Sequence, residues 1–74
     1  MTKQEMRIVD YIDALKDEIS ILENYIAWNN DPALIAGRGK YNTTAVANRV
    51  IDMAGRLGIE CGKYSMKHEM EVEA

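Results

Sequence analysis

Residues 3–28 contain neither glycine nor proline, and six large apolar side chains in that run fall at Ile8, Ile12, Leu15, Ile19, Leu22 and Ile26. The steps alternate between four and three residues, which places all six on one narrow stripe of an α-helix and matches the period of a heptad seam. Thr2 stands just before the run and Glu5 three positions later, the spacing of a capping box that starts a helix. A helix this long with one apolar seam needs a second surface to cover the seam. A chain of 74 residues has little material to supply it, because a domain of that size buries only about 60% of the surface its unfolded chain exposes. An apolar fraction of 47% and a single proline argue against disorder. The expected solution is all-α: an antiparallel helical hairpin that pairs with another copy of itself into a small helical bundle.

The flanks of the seam refine this. Glu18 and Glu23 would face each other across a parallel two-stranded coil and repel, while Val9, Tyr11 and Tyr25 widen the apolar face beyond a strict seam. Both features favour a bundle over an isolated zipper, with Ile8, Ile12, Leu15, Ile19, Leu22 and Ile26 as the expected interface. The opposite side of the helix carries Asp10, Asp13 and Asp17 as an acidic ridge, which solubilises the helix or faces a basic partner.

The segment Asn29-Asn30-Asp31-Pro32 reads as a turn. Pro32 can open one helical turn over residues 33–36. Gly37-Arg38-Gly39-Lys40 follows, and then Asn42, Thr43 and Thr44 are candidate caps for a second helix. Glycines, two cations and a helix N-terminus together form an anion cradle in principle, although a P-loop needs a different spacing.

A second helix is expected over residues 44–57, with Val46, Val50, Met53 and Leu57 on its buried stripe, broadened by Ala47, Ile51 and Ala54. Leu57-Gly58-Ile59 reads as a Schellman-type stop. The run Met53-Ala54-Gly55-Arg56-Leu57-Gly58-Ile59 resembles the first half of a helix-turn-helix, and the resemblance implies DNA binding. Its second half departs from that pattern, with Gly62 and Lys67 where a recognition helix would be regular and apolar on its inner face. Beyond residue 63, apolar and polar residues alternate through Tyr64, Met66, His68, Met70 and Val72, the period of a strand; a short third helix is the rival. Cys61 and His68 read as packing residues.

Charge is segregated. Three cations face seven acids over residues 1–31, six face two over residues 32–68, and the last six residues add three acids. The basic middle third, through Arg38, Lys40, Arg49, Arg56 and Lys63, is the candidate surface for nucleic acid or a nucleotide. One cysteine and one histidine exclude an internal disulfide and the usual zinc sites. No enzyme motif is present, no cofactor is expected, no segment is apolar enough to span a membrane, and no secretory leader is recognisable, so a cytoplasmic protein is expected. The expected function is that of a non-enzymatic homodimeric interaction protein that binds and modulates another protein. Small proteins of this type are common among phage and mobile-element accessory proteins. Nucleic-acid binding is the first alternative, and a structural subunit of a larger assembly is the second.

Overall fold

The computed structural model describes the backbone of residues 1–73 and the side chains of residues 1–67. Three helices follow one another: α1 (Lys3–Asn29), α2 (Pro32–Ile35) and α3 (Thr43–Glu73). No strand occurs among the described residues. Helices α1 and α3 pack antiparallel along their lengths, giving the all-α hairpin, and α2 sits in the connection.

The ends of α1 and α2 and the start of α3 each have a chemical cause. The capping box at α1 forms as expected: the Glu5 amide donates to Thr2 Oγ1 at 3.1 Å, and the Thr2 amide donates to Glu5 Oε1 at 2.8 Å. At the other end Asn30 folds its side-chain amide back onto the Ile26 carbonyl at 2.8 Å, which satisfies a carbonyl that has no helical partner. Asp31 caps α2 by accepting from the Ala33 amide at 3.0 Å, ahead of Pro32 at the first helical position. The left-handed residue of the connection is Gly39, with φ +82°, and its amide closes onto the Ile35 carbonyl at 2.9 Å. Of the three candidate caps for the next helix, Asn42 serves, accepting from the Ala45 amide at 3.0 Å.

The second long helix differs from the sequence expectation. It does not stop at Gly58; residues 44–57 are the first half of a helix that runs to Glu73. A Schellman stop needs a glycine in the left-handed region, and Gly58 is not there, since Gly39 is the sole glycine with positive φ. Consequently the helix-turn-helix resemblance at 53–59 does not hold, because the chain makes no turn at that point. The alternation after residue 63 belongs to a helix and not a strand. The inward side of α3 explains why: beyond the first turn and Ala47, its less exposed residues are Val50, Met53, Leu57, Glu60 and Tyr64, which continue from the buried Val46 in steps of 4, 3, 4, 3 and 4. Glu60 and Tyr64 carry the seam past the three glycines. The His68 packing role lies outside the described side chains.

With 31 residues, α3 is longer than the 27-residue α1. A short second helix therefore does not leave part of α1 bare. The seam of α1 is instead split by rotation. Ile8, Ile12, Leu15 and Leu22 lie half-buried beside α3, together with Tyr11, Glu18 and Tyr25, while Ile19 and Ile26 turn outward at 40% and 50% exposure.

The result is a single layer of two helices, 61 × 19 × 14 Å. Its radius of gyration is 17.5 Å, against about 11 Å for a compact domain of this length. Among the described residues Val46 alone is fully buried, at 1% exposure.

Candidate interaction surface

The layer has two broad sides, and their composition differs. Two observations orient them. Arg49 Nε reaches Glu18 Oε2 at 2.9 Å on one side of the seam. Val9 and Cys61 lie on the other, where they line a cleft of about 360 Å³ with Met1, Glu5, Ile8 and Tyr64 at the open end of the hairpin. Helical periodicity then assigns the remaining residues.

On the Val9–Cys61 side, α1 presents Val9, Ile12, Lys16, Ile19, Glu23 and Ile26. Here α3 presents Ala47, Ile51, Ala54, Gly58 and Cys61, with no charge among them. Ile51 is 69% exposed. It was expected to broaden the buried stripe of its helix. Once Val46, Val50, Met53 and Leu57 fix the inward direction, position 51 falls about 140° away, from the turn of about 100° per residue. That offset is legible in the sequence only after the seam of α3 is known.

On the opposite side run Arg49, Asp52, Arg56 and Lys63 of α3, with Glu18 and the acidic ridge residues Asp10 and Asp17 of α1. Asp13 lies at the back of the ridge, and all three aspartates are exposed. Arg56 Nε is 3.3 Å from Asp52 Oδ2 on the same helix. Lys40 and Lys63 are exposed. Arg38 stacks its guanidinium 3.8 Å above the Tyr41 ring, a cation–π contact that ties the basic loop down. Of the five cations expected to attract phosphate, the structure thus engages Arg38, Arg49 and Arg56 within the chain and spreads all five along the loop and α3.

The loop's backbone is engaged too. Asn29 grips Tyr41 from both sides, donating from Nδ2 to its carbonyl at 3.0 Å and accepting its amide on Oδ1 at 2.6 Å. Around this latch Tyr25, Trp28 and Tyr41 cluster with ring centroids 4.8–5.9 Å apart. The closed end is therefore rigid by construction. No motif announced the latch: an Asn in a turn carries no sequence signal for its long-range partner.

At the open end the Tyr64 hydroxyl donates to Glu5 Oε2 at 3.0 Å. The Thr2 backbone amide, the Tyr64 hydroxyl and the Thr2 side chain hold the Glu5 carboxyl below its ordinary value of 4.5. No cluster of three His, Cys, Asp or Glu able to hold a metal occurs among the described residues, nor does any helix long and apolar enough to cross a membrane. No protein-family model, no curated protein and no solved structure matches this chain, so its function must be argued from these surfaces alone.

Proposed function

We infer that the chain is a non-enzymatic interaction protein whose working form has its apolar side covered by another polypeptide. One observation carries the reading. Stable domains are built from at least two packed layers, and this hairpin is one layer in which Val46 alone is fully buried among the described residues, with a charge-poor side centred on Ile19 and Ile51. The opposite side, with its ion pairs and the ridge of Asp10, Asp13 and Asp17, is suited to water or to a basic partner. A nucleic-acid role is the weaker reading, because Arg38, Arg49 and Arg56 already have partners within the chain.

A photo-activatable residue placed at position 51, and separately at position 17, tests this in cells that express the protein. The expected result is a strong polypeptide adduct from position 51. If position 51 yields no polypeptide adduct, or attaches chiefly to nucleic acid, the reading is overturned.

A further inference from the structure

We propose that the missing layer is a second copy of this chain, seated on the Val9–Cys61 side with its α1 antiparallel to the first. This rests on the reading that a polypeptide covers that side, and it names which one. Three observations favour a second copy over an unrelated chain.

The first is area. A compact monomer of this mass exposes roughly 4,600 Å², whereas this chain exposes 5592 Å². The surplus, about 1,000 Å², is close to the ~800 Å² that each partner contributes to a standard stable interface.

The second is the order of residues along α1. A two-fold interface must be complementary to itself. Along the edge of α1 that borders this side the sequence runs Ile12, Lys16, Ile19, Glu23, Ile26, half-buried at Ile12 and exposed at the other four. Turned end over end about Ile19, this row maps onto itself to within one residue. Ile19 meets Ile19, Ile12 meets Ile26 of the second copy, and Lys16 falls one residue from the level of Glu23 of the second copy, within reach of its long side chain. The two charges of this row then neutralise one another twice. In a parallel arrangement like charges would stand level.

The third is that the same axis crosses α3 at Ile51. The ion pair Glu18–Arg49 and the hydrogen bonds Glu5–Tyr64 and Asn29–Tyr41 fix the antiparallel register within the hairpin. In that register Ile19 lies level with residues 48–51. The most exposed isoleucine of the chain thus stands at the centre of symmetry. Ala47 and Ala54 flank it nearly symmetrically and leave room for the second α3. Face-to-face packing then makes a four-helix bundle with Ile19 and Ile51 inside and both acidic ridges outside.

Charge reversal tests the arrangement, read by sedimentation equilibrium across a wide range of concentration. The native chain is expected to dimerise. Lys16→Glu, and separately Glu23→Lys, should weaken the dimer by roughly tenfold or more, since each sets like charges against each other twice. The double variant Lys16→Glu/Glu23→Lys should recover the native affinity. An equimolar mixture of the two single variants should form a heterodimer in preference to either homodimer. The recovery also guards against a variant that merely fails to fold, and circular dichroism checks helix content in each.

Orientation is read by disulfide trapping in a Cys61→Ser background. Chains bearing Ile12→Cys and chains bearing Ile26→Cys should cross-link to each other faster than either does to itself. Preferential Ile12→Cys self-linkage would overturn the antiparallel geometry. So would a dimer indifferent to Lys16→Glu. A folded monomer at every concentration would overturn the second copy. The adduct at position 51 then separates the two failures: a monomer that still captures another protein there loses only this proposal, and one that captures none loses the reading beneath it as well.

Discussion

The two broad sides of this hairpin are built on the same two helices and the same seam, yet they solve opposite problems. On the side of Glu18 and Arg49, the positions flanking the seam of α3 are Arg49, Arg56 and Lys63, and water finishes the surface. On the side of Val9 and Cys61, the equivalent flanking positions are Ala47, Ala54 and Cys61, with Ile51 beyond them. A single layer has no interior except the row of side chains between its helices, so whatever flanks that row is surface. Charged flanks make such a surface stable as it stands. Small apolar flanks leave it open to a second layer at close range. The difference between the sides therefore resides in a handful of flanking residues and not in the helices themselves.

The sharpest way to break the comparison uses two isoleucines on one helix. Ile51 and Ile59 are 69% and 61% exposed, and in an isolated hairpin a polar substitution at either changes stability by about 0.5 kcal/mol or less. Ile51 belongs to the apolar side, and Ile59 lies toward the charged side. With the apolar side covered by a second copy, Ile51→Glu buries two uncompensated carboxylates per dimer. It should cost several kcal/mol of association, on the order of a thousandfold in Kd. Ile59→Glu should leave association within about twofold of native. Equal effects at the two positions, measured by sedimentation, would erase the distinction between the sides.

Substitutions at the closed end should behave differently in kind. Trp28 stacks with Tyr25 and Tyr41 at centroid distances of 5.9 and 5.0 Å, a cluster that holds α1, the connection and the start of α3 together. Trp28→Ala should lower stability by about 3 kcal/mol. This is a loss within the hairpin, so in urea denaturation it should persist at every protein concentration. The loss at Ile51 should appear only where the dimer is populated. A Trp28→Ala penalty that vanished on dilution would mean that the aromatic cluster is itself part of the interface.

Much of the hairpin was legible in advance, and the misreadings share a cause. The capping box at Thr2 and Glu5, the Asp31–Pro32 start of α2 and a cap among residues 42–44 are local chemistry, so single residues announce them. The end of α3 departs from expectation because the apparent stop at Leu57-Gly58-Ile59, reinforced by Gly62, outweighs the seam when the sequence is read alone. Position 64 lies seven residues after Leu57, and Glu60 fills the step between, but a glutamate at an inward position hides the period. The rotation of α1 was hidden in the same way. Glu18 faces Arg49 and Tyr25 faces the ring cluster, so polar and aromatic contacts turn the helix and push Ile19 and Ile26 outward. Periodicity reports which residues share a stripe; it does not say which edge of the stripe points at the neighbour. Residues such as Ile51 and Ala54 gained their place on the candidate surface only from that direction.

The smallest expected effect probes how far along α3 the second layer reaches. Gly58 and Gly62 both sit in helical backbone with nothing within 4 Å of a Cβ added there. In the isolated hairpin, Gly58→Ala and Gly62→Ala should therefore each stabilise α3 by about 0.5–1 kcal/mol, through reduced backbone entropy of the unfolded chain. Both lie within about 20° of the direction of Ile51, about two and three turns beyond it, and they differ in position along the axis. With the two-fold at Ile51, Gly58 stands opposite residue 44 of the second copy, inside its α3, and Gly62 stands opposite residue 40, before that helix begins. With the second α3 packed close against that side, the methyl at position 58 meets it and the one at position 62 does not. Thermal melts at low concentration should show equal gains. At concentrations that populate the dimer, Gly62→Ala should keep its gain, and Gly58→Ala should lose part of it to crowding. If both variants gain equally at every concentration, the second layer does not reach as far along α3 as Gly58, and the contact is confined to the region around Ile19 and Ile51.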